Sequence, residues 1–174
     1  MEFEEEGQLR EDQRAAVLDE RRRALVSALK SGQWRQVRGT LQRLPDELSG
    51  AAGGFCCLGV ACEVAIKDGL GLYATPSSSG RVTYGTAAGD ASQVRLPEAA
   101  RGWYGFYGAD PYLEVPRRFV EINEWVAGRW APDWTCVASV LNDDARMTLQ
   151  QIGECFQYTF LLADWEAEHG TAAS

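Results

Sequence analysis

The sequence predicts an α+β fold that is predominantly α-helical, formed as a single compact domain with one or two short β-hairpins. Apolar residues recur at helical spacing in several long segments, and short alternating runs around a Gly-Asp turn indicate a hairpin. The 174 residues are enough for one domain with its own core, and no internal repeat is visible. We expect an acidic flexible tail at residues 1–10, the globular domain at 11–166, and a disordered tail at 167–174.

Two helical segments are predicted in the first half of the chain. Residues 12–30 carry a narrow apolar stripe that ends at Ser31-Gly32. Residues 55–66 are apolar on nearly all sides, which indicates a buried helix, although a buried strand has the same composition. As a helix, this segment places on one face, which we expect to meet solvent, the residues Cys56, Gly59, Glu63 and Lys67. The spacing of the last two residues is that of a helical ion pair.

Further helices are predicted in the second half. Pro97 stands at the first position of a short helix that ends at Gly105. We interpret residues 117–134 as a Trp-rich inserted helical element, and residues 134–141 as a short helix stopped by the Asn-Asp-Asp run that follows. Thr148 and Gln151 have capping-box spacing, which predicts another helix. Its inward face is expected to contain Leu149, Ile152, Phe156, Phe160 and Ala163.

The remaining segments are read as short strands and loops. We predict strands at residues 81–84, 93–96 and 112–115. Residues 34–44 alternate loosely, which fits a short strand or an irregular arm. Residues 68–80 are rich in Gly, Ser and Pro and are expected to form a loop.

Composition and charge exclude several classes of protein. A net charge of −8 disfavours a nucleic-acid binder that neutralises phosphates. The three consecutive arginines 21–23 follow two acidic residues on a predicted helix and are interpreted as a solvated face. No apolar run is long enough to span a membrane, and the acidic N-terminus is unlike a signal peptide. Five cysteines without paired spacing indicate reduced thiols and a cytoplasmic protein.

The residue inventory also disfavours common catalytic centres. The single histidine, His169, falls in the predicted disordered tail, which leaves no fixed base for a Cys-His or Ser-His-Asp centre. The cysteines lack metal-ligand spacing, so we predict structural thiols and neither a metal nor another cofactor. Cys56 differs from the other cysteines because it lies near a helix N-terminus, where the helix dipole lowers a thiol pKa. A reactive Cys56 therefore stays open.

The polar turn at Asn142, Asp143 and Asp144 has two interpretations. It offers ligands for a small molecule or a divalent cation, or it ends one helix by bonding its own backbone. Residues 137–156 also have the outline of a helix-turn-helix. The second helix has no Lys or Arg after Arg146 to read DNA, so a plain αα-hairpin is the favoured interpretation.

An aromatic-dense region occupies the middle of the chain. Its members either pack in the core or form a partner-binding surface, and both interpretations stay open because the surrounding sequence is loop-like. The residues that we assign to partner binding are Tyr107, Tyr112, Trp125, Trp130 and Trp134.

Three sequence blocks resemble a known pattern. They are residues 54–62 (GFCCLGVAC), residues 96–103 (LPEAARGW), and Leu141-Asn142-Asp143 with Thr148 and Ile152. This pattern resembles an uncharacterised group of small proteins from actinobacteria and their phages, over roughly residues 20 to 165. The resemblance implies a phage or mobile-element context and supplies no catalytic residues. The Trp-rich residues 117–134 depart from it, because relatives tend to be shorter there.

These observations support three hypotheses. The first is a phage or prophage accessory protein in the host cytoplasm that binds a host or viral macromolecule, for example as an inhibitor of a host defence system. We expect its partner to be a protein, with no role for nucleic acid or membrane; the oligomeric state is not predicted. The second is a small-ligand, nucleotide-like site formed by Cys56, Glu63, Trp103, Asn142 and Asp143. The third is a thiol-dependent enzyme that uses Cys56.

Overall fold

The computed structural model describes residues 2–125 and 135–171 of the chain. Within these ranges the chain forms seven helices and seven short strands. The helices are α1 Glu2–Lys30, α2 Cys57–Lys67, α3 Glu98–Tyr104, α4 Arg117–Ile122, α5 Ala138–Asp143, α6 Leu149–Phe160 and α7 Leu162–His169. The strands are β1 Gln42–Arg43, β2 Gly54–Phe55, β3 Tyr73–Pro76, β4 Val82–Gly85, β5 Ala91–Ser92, β6 Tyr112–Glu114 and β7 Thr135–Val137.

The strands of the described residues pair into three small antiparallel sheets. β1 pairs with β2, β4 lies between β3 and β5, and β6 pairs with β7. The predicted class, a helix-rich α+β single domain, is confirmed. The hydrophobic core lies where α1, α2 and α6 meet, and the sheets lie around it.

Helix α2 occupies the centre of the core. It is the helix that was predicted from residues 55–66, and the strand alternative is wrong. Cys56 is its N-cap, with the Sγ accepting a hydrogen bond from the Gly59 N–H at 3.4 Å. Eight of its residues are buried, in agreement with a helix that is apolar on nearly all sides: Cys57, Leu58, Gly59, Val60, Ala61, Cys62, Val64 and Ala65.

The face of α2 that was expected to meet solvent is covered at its N-terminal end. Residues 36–43, which we name the arm, cross over this end, and Cys56 and Gly59 are both buried beneath it. The Cys56 N–H donates to Leu41 O at 3.0 Å. A Cβ at position 59 would lie 1.9 Å from Leu41 O, so only glycine permits this approach. Further along the helix, Glu63 is half-buried and Lys67 is exposed.

Helix α1 ends at Lys30 as predicted, but it differs from its prediction in its start and in the surroundings of its arginines. It begins at Glu2, so residues expected as a tail are helical. The interpretation of the arginines as a solvated face is wrong for two of the three. The Arg21 guanidinium lies 3.5 Å from the Trp103 ring centroid, and Arg22 Nε donates to Tyr104 O at 3.0 Å. The last carbonyls of α3 have no helical donor, and the arginines of α1 supply one.

The β-structure agrees only in part with the predicted strands. β4 and β6 coincide with predicted strands, whereas the pairing after β4 involves Ala91–Ser92 and not residues 93–96. β3 lies within residues 68–80, which we predicted as a loop. The strand was missed because all four of its residues are exposed, so apolar and polar residues do not alternate. Residues 135–137 form a strand paired with β6, and not the start of a helix.

The C-terminal region is more ordered than predicted. The capping box at Thr148 and Gln151 is confirmed, with both reciprocal hydrogen bonds present. The chain bends at Leu161 and continues as α7 to His169, so the prediction of disorder is wrong for residues 167–169. His169 stacks on Trp165 at 4.7 Å, and Lys30 pairs with Glu168 at 2.9 Å. Because the chain bends at Leu161, the inward face of α6 does not continue into α7, and Ala163 is exposed.

The inserted element of residues 117–134 is described only up to residue 125. Its first part is helix α4, in which Phe119 and Val120 are buried while Ile122 is exposed. Helix α4 therefore belongs to the core and is not a separate appendage.

We expect Gly59→Ala to lower the free energy of unfolding by about 3 kcal/mol, because the added methyl group displaces the arm backbone. Gly102→Ala, in α3, is the matched control. It meets no atom within 4 Å and should raise stability by up to about 1 kcal/mol through helix propensity. Urea denaturation measures both. Equal stability of the two variants would show that the arm does not lie against α2.

Candidate functional site

The Asn142 side chain is the centre of a buried hydrogen-bond network. Its Oδ1 accepts from Gln36 Nε2 at 2.9 Å and from the Cys57 N–H at 3.4 Å. Its Nδ2 donates to Val37 O at 3.0 Å and to Asp143 Oδ1 at 2.7 Å. The residue is 0% exposed, and both donors and both acceptor sites of its amide are used.

The same residues fasten the arm. Arg38 Nε donates to Asn142 O at 3.2 Å, and the Gly39 N–H donates to Asp143 Oδ1 at 3.1 Å. Gln36 Nε2 also reaches Met147 O at 2.8 Å. The Leu-Asn-Asp block therefore joins the arm to the start of α2 and to the turn before α6. It does more than end a helix, and its carboxamide is occupied by protein groups.

The Cys56 and Cys57 thiols lie beside this network. The Cys57 thiol lowers the pKa of Cys56 by hydrogen bonding; burial opposes the shift, and the backbone N–H groups of Gly59 and Leu58 add to it. The same hydrogen bond, together with burial, raises the pKa of Cys57. Cys56 is only 5% exposed. The structure thus places Cys56, Asn142 and Asp143 together, but in packed protein.

The other three cysteines are buried and protonated. Burial raises the pKa of Cys136 to about 11, and raises those of Cys62 and Cys155 further. All five cysteines are free thiols. These observations fit structural thiols.

Glu63 and Trp103, the other two residues predicted for a ligand site, lie elsewhere. Glu63 lines a groove of about 500 Å³ between α1 and α2. Trp103 lines an adjoining hollow of about 420 Å³, and Asp68 borders both. Trp103 Nε1 is buried without a hydrogen-bond partner. The five predicted ligand residues are therefore divided between a packed network and an open surface.

Two of the residues predicted for partner binding are prominent at the surface. Tyr107 is 102% exposed and Tyr112 is 68% exposed. Trp125 is half-buried and packs against the core. Trp130 and Trp134 lie outside the described residues.

Sequence reasoning missed a buried carboxylate in α6. Glu154 contacts the Arg118 guanidinium, accepts from Trp165 Nε1 at 3.2 Å, and has His169 Nε2 3.6 Å away. This contact set joins α4, α6 and α7. No local signal could have revealed it, because a glutamate within an amphipathic helix is usually solvated.

Neither a metal site nor a membrane span is indicated by the described part of the chain. No three His, Cys, Asp or Glu residues within it converge as metal ligands. No helix within it combines the length and apolarity needed to cross a bilayer.

We expect Asn142→Ala to lower the free energy of unfolding by about 3 kcal/mol, because it leaves several buried polar groups unpaired. Asp144→Ala, an exposed neighbour, should change it by less than about 0.5 kcal/mol. Thermal and chemical denaturation of both variants provide the measurement. If Asn142→Ala is as stable as the parent protein, the Asn142 network does not contribute to the stability of the fold.

We expect every thiol of the native protein to react with iodoacetamide more slowly than N-acetylcysteine at pH 7, since burial blocks access even where the thiol pKa is lowered. Mass spectrometry of peptides after a timed reaction locates the label, and guanidinium-unfolded protein is the control in which all five thiols react. Labelling of Cys56 faster than N-acetylcysteine would support the thiol-enzyme hypothesis.

Comparisons with known proteins place the chain in one family. No curated protein and no solved structure matches it. A family model described as a domain of unknown function (DUF8296) matches residues 19–159. The match includes the Cys-Cys block, the arm, the Leu-Asn-Asp block and most of α6. The chain belongs to the DUF8296 family.

Proposed function

We propose that this protein is a non-enzymatic accessory protein that binds a protein partner through residues 106–112, which we name the tyrosine loop. The observation that carries the proposal is the exposure of Tyr107 and Tyr112 on this loop. Tyrosine is enriched among the residues that dominate binding energy at protein interfaces, because its ring supplies a large contact area with few rotatable bonds.

The tyrosine loop is held in place by the body of the protein. Arg101 Nη1 donates to Phe106 O at 3.0 Å and to Tyr107 O at 3.4 Å. The Leu96 N–H donates to Ala109 O at 3.0 Å. A loop with a fixed conformation loses little entropy when it binds, which supports its use in recognition.

The second end of the tyrosine loop is fastened to α5. The Ser139 N–H donates to Asp110 Oδ1 at 3.0 Å, and the Ser139 hydroxyl also contacts the same carboxylate. The Ala138 N–H donates to Pro111 O at 3.0 Å. Asp110 thereby caps α5 from a distant part of the chain and sets the position of Tyr112.

We extend the proposal to the biological setting in which the protein acts. The resemblance of the Cys-Cys and Leu-Asn-Asp blocks to proteins of actinobacteria and their phages supports a phage or prophage protein that acts in the host cytoplasm. An inhibitor of a host defence system fits this setting. The net charge of −8 favours a partner with a basic surface and disfavours nucleic acid.

The thiol-enzyme alternative has less support. Cys56 is sealed beneath the arm, and the contacts of His169 are with Trp165 O at 2.9 Å and with Glu154. A thiol and the single imidazole therefore do not form a nucleophile and base pair among the described contacts.

We expect the double variant Tyr107→Ser/Tyr112→Ser to lose the partner, with Kd raised at least about 30-fold, because a single interface tyrosine of this kind contributes about 2 kcal/mol. Tagged protein captures partners from the native host, and the Kd is then measured by calorimetry with the purified partner.

The matched control is Tyr73→Ser, which removes from β3 a tyrosine about as exposed as Tyr112 and should bind as the parent protein does. Equal binding by all three proteins would exclude the tyrosine loop as the interface. Failure of the parent protein to retain any partner would count against the proposed function itself.

A further inference from the structure

The groove between α1 and α2 is a site that the tyrosine loop does not explain. We name it the α1–α2 groove, and its principal lining residues are Ser27, Trp34, Glu63, Lys67 and Asp68. Its volume of about 500 Å³ lies in the range of small-ligand sites, and the hollow beside Trp103 extends it.

Glu63 is held in a fixed position at this groove. Tyr84, which is fully buried, places its hydroxyl 2.6 Å from Glu63 Oε1 and 2.6 Å from Gln42 Oε1. A hydroxyl has one proton, so Tyr84 donates to the carboxylate, and the Gln42 amide, turned by 180°, donates to Tyr84. Burial raises the pKa of Tyr84, so the phenol stays protonated and remains a donor at neutral pH.

Among the described residues, no ion pair joins the charged side chains of the groove. The helical ion pair predicted between Glu63 and Lys67 does not form among the described residues, and Asp68 has no ion-pair partner there either. Two carboxylates against one ammonium leave the groove with one excess negative charge. A half-buried carboxylate without a cation gains free energy when a ligand supplies one.

A second groove shows that this arrangement is not general. It has a volume of about 620 Å³ and lies between α1, α6 and α7. Its charges are paired across it: Arg23 with Asp164 at 2.7 Å, and Lys30 with Glu168 at 2.9 Å. The α1–α2 groove differs from this second groove because its charged side chains form no ion pairs among the described residues.

Trp34 adds an aromatic surface to the negative charge. Its ring is fixed by an edge-to-face contact with Phe55 at 5.0 Å between centroids, and it lines the same groove as Glu63. A carboxylate beside an indole ring is the combination that binds ammonium and guanidinium groups, by ion pairing and cation–π attraction.

We propose that the α1–α2 groove binds an organic cation, a molecule with a primary ammonium or guanidinium group, which pairs with Glu63 and packs against Trp34. Two kinds of ligand carry such a group: a free polyamine, and a peptide with an arginine side chain.

The test uses the full chain, labelled with ¹⁵N at the indole nitrogen of tryptophan. The chain has six tryptophans, so the Trp34 resonance is assigned by its loss in Trp34→Phe. Spermidine and the peptide acetyl-Gly-Arg-Gly-amide are the cationic probes, and adenosine monophosphate is the anionic probe. We expect one or both cations to shift the Trp34 resonance in a saturable titration.

Two substitutions carry opposite expectations. Glu63→Gln keeps an acceptor for Tyr84 and should weaken cation binding about tenfold through loss of one charge-assisted bond. Lys67→Gln removes a like charge and should strengthen it a few-fold. Glu47→Gln, an exposed carboxylate away from the groove, should leave affinity unchanged. Asp68→Asn, which alters only an exposed side chain, repeats the test if Glu63→Gln fails to fold.

The outcomes decide the proposal. Tighter binding of spermidine than of the peptide identifies a free polyamine, and the reverse identifies a peptide side chain; both support the site. Absence of a shift with either cation overturns it, as does equal binding by the Glu63→Gln and Glu47→Gln variants. Saturable binding of adenosine monophosphate that Lys67→Gln abolishes would assign the groove to anions instead. None of these results depends on the tyrosine loop.

Discussion

The contact between the arm and the N-terminal turn of α2 is the constraint on which the structure depends. Gly59 allows Leu41 O to approach the helix backbone, and the Cys56 N–H then has an acceptor. Asn142 closes the arrangement by bonding the arm and the helix at once. Each of these buried polar groups would cost about 1 to 3 kcal/mol if left unpaired, so the three elements are stable only together. The two conspicuous sequence blocks, which are about eighty residues apart, are halves of one junction.

This junction determines which polar and reactive side chains are accessible to solvent. The thiol with the lowered pKa and the carboxamide of Asn142 are both occupied in holding the chain, which leaves them sealed from solvent. The exposed groups that we propose for recognition, on the tyrosine loop and in the α1–α2 groove, lie outside this junction. Asp110 orients the tyrosine loop through α5, and Tyr84 orients Glu63 at the α1–α2 groove. The protein therefore separates residues that stabilise the fold from residues that can meet a partner.

Electrostatics divide the surface in a similar way. Two ion pairs join α1 to α7, and the buried Glu154 of α6 contacts Arg118 and His169 in the same region. The carboxylates of the α1–α2 groove have no such ion pairs within the described part of the chain. Because the whole chain carries −8, its long-range field attracts cations towards any site that is left unneutralised.

The sequence by itself determined the features that depend on neighbours within one turn. Helical periodicity located α2 and most of α1, and the Thr148 capping box located the start of α6, since these signals arise between residues three or four apart. Tertiary structure alone decided which faces are covered. The arm buried the N-terminal end of the solvent face expected for α2, Cys56 and Gly59. The tail at His169 packs against Trp165, and the predicted ligand residues are divided between two places. Each of these outcomes depends on contacts with packed neighbours, often far away in sequence, which no local pattern encodes.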